Sequence, residues 1–141
     1  MSAITTRTLL YVEDEPDDAF FMRTAFERLN AGLDVRVVGD GPAAIAYLEG
    51  REPFEDRARN PLPALTLLDI NLPGISGFEI LEWIRGHREL KTMPVVIFSS
   101  SGRPEDRARA QELGANDYVM KPNSGVRFGE VARNLHATWF K

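Results

Sequence analysis

Glu13 and Asp14, Asp69, Ser99 and Lys121 stand at the ends of separate apolar runs, and together they are side chains that could move a phosphoryl group. Three carboxylates on neighbouring strand ends repel one another in a crevice of low dielectric, and their pKa values rise unless a cation neutralises them. Hard oxygen ligands with room for water and a phosphoryl oxygen suit Mg2+. The sequence has no cysteine, and His87 and His136 fall in helical stretches far from these positions, so zinc is a poor fit. An aspartate beside a divalent cation can attack phosphorus and form an acyl phosphate. The transfer then asks for little beyond positioning and neutralisation of three equatorial oxygens. Mg2+ would hold one, the Lys121 ammonium a second, and the Ser99 hydroxyl with backbone N–H groups the third.

Taken singly, each member has a plainer reading. Glu13 and Asp14 could satisfy the N-terminus of the next helix, and Asp69 could form a turn before Asn71, Pro73 and Gly74. The run Ser99-Ser100-Ser101-Gly102 reads as a polar loop, and Lys121-Pro122 as a solvated charge before a turn. What favours chemistry is that independent strand ends carry all the required groups at once.

The elements that must position these residues alternate along nearly the whole chain. Apolar runs at Thr8 to Val12, Leu33 to Val38, Leu65 to Asp69, Pro94 to Ser99 and Tyr118 to Met120 predict strands. The first helix opens at Pro16, with Asp17 and Asp18 complementing its N-terminal dipole, and Gly32 closes the segment. A short helix runs from Asp40-Gly41-Pro42 to Gly50, and another follows NLPGISG on Phe78, Leu81 and Ile84. The fourth starts near Pro104 and ends at Gly114, and the last carries Phe128, Val131, Leu135 and Trp139. Residues 51–63, with their prolines and mixed charge, break the rhythm and predict a surface loop longer than usual for an α-to-β connection. Strands each followed by a helix imply a parallel sheet covered on both faces, and right-handed crossovers close it as a doubly wound α/β sandwich. Ligands of such sheets bind beyond the carboxyl ends of the strands, at the topological switch point.

Composition sets the outer bounds. A chain of 141 residues with 43% hydrophobic and 27% charged residues predicts one globular domain with its own core. Lys+Arg 17 against Asp+Glu 21, a net charge of -4, exerts no long-range pull on phosphate backbones and disfavours generic nucleic-acid binding. No apolar run approaches the roughly 20 residues of a membrane span, and MSAITTRTLL lacks the apolar stretch of a signal peptide. A cytoplasmic domain with no membrane contact is expected.

The stretches LLYVEDEPDD, LTLLDINLPGISGFEIL, MPVVIFSSSG and GANDYVMKP closely resemble the receiver domain of two-component response regulators, in order and spacing, over roughly residues 8–139. The resemblance implies a flavodoxin-like sheet of strand order 2-1-3-4-5, with Asp69 as the acceptor charged from a phosphohistidine on a sensor histidine kinase. It implies that Glu13, Asp14, Asp69 and the backbone carbonyl of Asn71 bind Mg2+. Ser99 resembles the switch hydroxyl, Lys121 the paired cation, and Tyr118 the aromatic switch that answers Ser99. Such a protein is a phosphoacceptor that catalyses only its own phosphorylation and dephosphorylation. Glu13 stands where Asp is commoner, so its longer arm would reach the metal through water. Asn123, Ser124 and Gly125 replace the family's usual apolar residue after Lys121-Pro122, which predicts a looser loop.

The 51–63 insertion and the terminal HATWFK resemble the single-domain subgroup that serves phytochrome-type light-sensing kinases. With the receiver pattern filling residues 1–141, no output domain is expected and the message must leave through surface contacts. Val126, Phe128, Val131, Leu135, Trp139 and Phe140 offer more apolar area than one core-facing stripe needs. Two readings follow. In one, Phe128, Val131, Leu135 and Trp139 pack on the sheet and the others are incidental. In the other, the last helix and C-terminal segment build a homodimer.

Two enzymatic or carrier readings share the architecture. A phosphatase of the haloacid dehalogenase type also uses an Asp nucleophile with Mg2+, but wants a second Asp where this chain has Asn71. A flavodoxin-type flavin carrier needs N–H donors after the first strand, where Glu13, Asp14 and Glu15 would repel the phosphate. The P-loop pattern GxxxxGK[ST] is missing.

Overall fold

Short runs rich in Val, Leu and Ile bury both faces when they pair as the central strands of a parallel sheet. The computed structural model describes residues 6–140. Its strands are β1 (Arg7–Val12), β2 (Leu33–Val38), β3 (Leu65–Leu68), β4 (Val95–Ser99) and β5 (Asp117–Met120). They form one sheet in the order β2-β1-β3-β4-β5, every pairing parallel. The helices are α1 (Pro16–Leu29), α2 (Gly41–Glu49), α3 (Gly77–Gly86), α4 (Pro104–Leu113) and α5 (Phe128–Trp139), the last preceded by a 3-10 turn at Gly125–Arg127. This is the doubly wound α/β architecture expected from the alternating pattern.

Alternate residues of each strand face opposite layers. Leu9 and Tyr11 of β1, with Val96 and Phe98 of β4, bury against Met22 and Phe26 of α1 and Phe128 and Leu135 of α5. Leu10 and Val12, with Leu68 and Ile97, bury against α2 and α3 through Ala44, Leu48, Ile80 and Ile84. Helix α4 is held mainly by Ala110 and the half-buried Leu113, so it has the smallest apolar anchor.

Local chemistry fixes where elements stop. The Asp40 side chain accepts from the Ala43 N–H at 2.8 Å, and Ser76 and Glu79 form a reciprocal capping box on α3. Helix α1 ends three residues after Phe26, and Asn30 at φ 50° turns the chain; Gly32, expected to close the segment, lies beyond the cap. β3 ends at Leu68 and leaves Asp69 outside the strand.

Residues 51–63 form a chain of turns, as expected, but they are fastened. The Arg57 guanidinium donates to the carbonyls of Tyr47, Leu48 and Asn60 at 2.7, 2.7 and 3.0 Å. Tyr47 Oη donates to Pro61 O at 2.8 Å, and the Phe54 ring packs 5.1 Å from the Tyr47 ring. At the other end of the chain, the reading that left Phe140 incidental is corrected. Phe140 is buried in the α1–α5 layer, with the Arg7 guanidinium over its ring at 5.3 Å and bonded to its carbonyl. Val131 and Trp139 pack partly buried beside it, and Val126 alone of the six is fully exposed. The loop after Lys121-Pro122 is organised by Ser124, whose hydroxyl caps the 3-10 turn.

Candidate functional site

The strand order reverses between β1 and β3, and the chain just beyond these two strands holds the acids. Glu13 N–H donates to Val38 O at 2.9 Å and Asp69 N–H to Val12 O at 3.2 Å, so both residues extend their ladders by one rung. Lys121 N–H donates to Ser99 O at 2.8 Å and does the same for β4 and β5. Behind Asp69, the N-terminus of α3 approaches so closely that a Cβ on Gly77 would lie 2.1 Å from the Asp69 carbonyl oxygen. Only glycine permits that approach. The Gly77 N–H donates to Ile70 O, and the Asn71 N–H to Asp69 Oδ1 at 3.1 Å, so the acceptor loop is braced from both sides.

Lys121 is the centre of the polar cluster. Its Nζ lies 2.7 Å from Asp69 Oδ2, 2.8 Å from Glu13 Oε1 and 2.8 Å from Asp18 Oδ2, and its side chain is 10% exposed. Burial works to neutralise this ammonium, but its bonds to Asp18, Asp69 and Glu13 more than reverse the effect and hold it above the usual lysine range. Glu13 is pushed up to about 7 by burial, with the Asp69 charge adding to the rise, and its bonds to Lys121 and Tyr11 oppose it. Burial and the neighbouring Glu13 charge keep the Tyr11 phenol protonated far above its ordinary range, and its hydroxyl donates to Glu13 Oε1 at 2.7 Å.

Glu13, Asp14 and Asp69 each offer an oxygen, and these atoms lie within 4.8 Å of one another. Glu13, Asp18 and Asp69 surround a single ammonium and Asp14 stands beside Glu13 and Asp69, so the cluster retains an excess of negative charge. An all-oxygen donor set with that excess fits a hard divalent cation such as Mg2+ or Mn2+.

Ser99 and Tyr118 are joined through a residue that sequence reasoning passed over. The buried Ser99 Oγ accepts from the Ser101 N–H at 3.2 Å, and Tyr118 Oη donates to Ser101 O at 2.8 Å. Ser101 Oγ in turn donates to Asp106 Oδ2 at 2.5 Å, and the Arg107 guanidinium lies over the Tyr118 ring at 4.7 Å. The polar loop is thus a connection from the strand end to α4.

Glu13, Asp14, Asp69 and Lys121 therefore converge, Ser99 stands beside Lys121 along the backbone, and Tyr118 is one step further out. Two contributors were missed. Asp18 reads in sequence as a helix-dipole charge, and nothing local tells that β5 will bring Lys121 to it. Tyr11 reads as strand core, although its place two residues before Glu13 on the same strand face is a usable signal.

The sequence profile of the "Response regulator receiver domain" family matches residues 9–132. The probable methanogenesis regulatory protein FilR2 of Methanothrix harundinacea (strain 6Ac) is 34% identical over 131 residues, 93% of this chain and 82% of that protein. Response regulator Rcp1 of Synechocystis sp. is 28% identical over 135 residues, covering 96% of this chain and 90% of that one. The crystal structure of the Mn(2+)-bound form of Rcp1 superposes with a TM-score of 0.86 over 96% of this chain and 95% of that one. The phosphorylated cyanobacterial phytochrome response regulator RcpA superposes with a TM-score of 0.90 at 28% identity, over 97% and 96% of the two chains. Among the described residues, no helix is long and apolar enough to cross a membrane. The strand order, the acids at the switch point, the lysine paired with Asp69 and the profile match over nearly the whole length agree, and the chain belongs to the response regulator receiver domain family.

Proposed function

We propose that this chain is a stand-alone cytoplasmic response regulator that takes a phosphoryl group onto Asp69 from a histidine of a sensor kinase. The observation that carries the reading is the part-buried Lys121 ammonium 2.7 Å from Asp69 Oδ2, beside an acid cluster that fits a divalent cation. An Asp69 carboxylate oxygen forms the new P–O bond while the P–N bond to the kinase histidine breaks, and the leaving imidazole takes up a proton. Glu13, Asp14, Asp69 and the backbone carbonyl of Asn71 would hold Mg2+, which supplies positive charge against the phosphoryl oxygens. Lys121 keeps its charge in the site and pairs with a phosphoryl oxygen. Ser99 turns its hydroxyl from the Ser101 N–H toward the phosphoryl group, and Tyr118, tied to Ser101, follows. The chain's catalysis is confined to its own phosphorylation and dephosphorylation.

The phytochrome response regulator among the similar structures makes a bacteriophytochrome-type light sensor the kinase to test first. Output passes through a changed surface, and a homodimer through the last helix and C-terminal segment is part of this reading. The exposed Val126 and Phe20, which line one groove between α1 and α5, support it.

Incubation with acetyl phosphate and Mg2+, or with a phosphorylated kinase of that type, should add one acid-labile phosphoryl mass to the protein. Asp69→Asn should add none. Equal labelling of the two proteins would place the acceptor elsewhere. Sedimentation of the same samples reads the dimer, and a monomer in both phosphorylation states would remove it.

A further inference from the structure

Lys121 meets more carboxylate than the pairing with Asp69 requires. Its ammonium donates to Asp69 of the acceptor loop and to Asp18 in the first turn of α1, and lies 2.8 Å from Glu13 of the β1 end. Asp69 changes character when it is acylated, because a carboxylate becomes a neutral acyl group bearing a phosphoryl anion. Glu13 belongs to the acid cluster and is shared with Tyr11. Asp18 is the remaining partner. It stands outside the acid cluster and has Lys121 Nζ as its side-chain hydrogen-bond partner among the described residues, at 2.8 Å. Its side chain is 24% exposed. Pro16 and the Ala19 N–H bonded to Glu15 O fix the first turn of α1 and hence the place of Asp18.

We propose that Asp18 is a positioning residue for phosphoryl transfer: from α1 it holds the Lys121 ammonium at the strand ends through a bond that stays unchanged when Asp69 is acylated. Lys121 is then aimed by a partner that takes no part in the chemistry, and the lysine need not be recaptured at each cycle of phosphorylation and release. The inference rests on the reading of Asp69 as acceptor for its catalytic consequence, but the anchoring of Lys121 stands on geometry alone.

Two measurements on the full chain separate these. Lys91, Lys121 and Lys141 are the lysines of the sequence, and the Lys121 side chain is 10% exposed. Its 15Nζ ammonium resonance should exchange slowly with water in the wild-type protein. Asp18→Ala should abolish that protection, Asp18→Asn, which keeps an acceptor oxygen without the charge, should weaken it, and Asp18→Glu should restore part of it. The rate of phosphorylation by acetyl phosphate at saturating Mg2+ should follow the same order, with Asp18→Ala slower by about ten-fold. A thermal unfolding scan of each variant identifies any loss that is merely structural, which Asp18→Glu would fail to rescue. Unchanged Lys121 exchange in Asp18→Ala would overturn the proposal, as would lost protection with an unchanged rate. If the wild-type protein takes up no phosphoryl group, Asp69 fails as acceptor, while the exchange data still decide whether Asp18 anchors Lys121.

Discussion

Glu13 is buried with a carboxyl pushed up to about 7, and this has a consequence for stability as well as for metal binding. In the unfolded chain the same carboxyl titrates near its ordinary value of 4.5. Between these values the folded protein holds a proton that the unfolded chain has released. The contribution of Glu13 is therefore fully present below pH 4.5 and is lost as pH rises through about 7. In metal-free buffer Glu13→Gln should lack this loss, so its denaturation midpoint should overtake that of the wild-type protein as pH rises through the window. Adding Mg2+ should oppose the trend in the wild-type protein, because a cation binds the ionised carboxylate. Parallel midpoint-against-pH curves for the two proteins would refute this account of Glu13. Glu13, Asp69 and Lys121 were legible in sequence because each follows an apolar run directly, and Asp14 because it adjoins Glu13. Asp18 and Tyr11 were not, since their roles depend on partners 103 and two residues away, one too distant to infer and the other disguised as core.

Elements are placed by contacts that tolerate little change. The start of α3 sits against the carbonyl of Asp69, and the Gly77 Cα occupies space where a Cβ would be 2.1 Å from that oxygen. The obstructing atom is backbone, so no side chain can swing aside. Gly77→Ala should lower stability by about 3 kcal/mol or more, at the upper end of overpacking costs, and should slow Asp69 phosphorylation by displacing the acceptor loop. Chemical denaturation with the slope held common to both proteins measures the first effect. A variant within 0.5 kcal/mol of wild type, the ordinary range for surface changes, would show that the loop yields. Boundaries of most elements were legible because their caps are written locally, as with Asp40, Ser76, Gly50 and Gly114. Asn30 was passed over for Gly32, although asparagine also adopts the left-handed conformation that ends a helix. Arg57 was hidden, since its three carbonyl partners are assembled only when the 51–63 turns fold back on α2.

Across the whole molecule, the site lies at one end of the sheet, and the bonds of Ser101 lead from the β4 end to α4 and β5. Helix α4 buries little apolar area, which makes it the element most easily shifted. Ser101 is bonded to Ser99, Tyr118 and Asp106, so a turn of the Ser99 hydroxyl toward Asp69 releases the Ser101 N–H and disturbs both the Tyr118 bond and the first turn of α4. Addition of a phosphoryl mimic with Mg2+ should therefore shift the amide signals of Ser101, Asp106, Arg107 and Tyr118, a movement between two states already available to the fold. Met22 and Leu135, deep in the opposite layer, should move least. Tyr118→Phe removes the hydroxyl that reads Ser101 and should reduce the α4 shifts while leaving Asp69 phosphorylation intact. Equal shifts in that variant would break the proposed connection.

By itself the sequence determined the alternation of strands and helices, the sign of charge at each strand end and the hard-oxygen character of the acid cluster. Those properties are local, set by apolar runs, caps and residue types that act over a few positions. The tertiary structure alone decided that Lys121 would be shared among Asp69, Glu13 and Asp18, that Ser101 would join Ser99 to Tyr118, and that Phe140 would be core. Each of those outcomes depends on separate segments meeting at distances near 3 Å, and such meetings follow from strand order and packing rather than from any short run of residues. The net charge of -4 illustrates the difference: it is mild as a sum, and concentrated where three carboxylates meet one part-buried ammonium with Asp14 beside them.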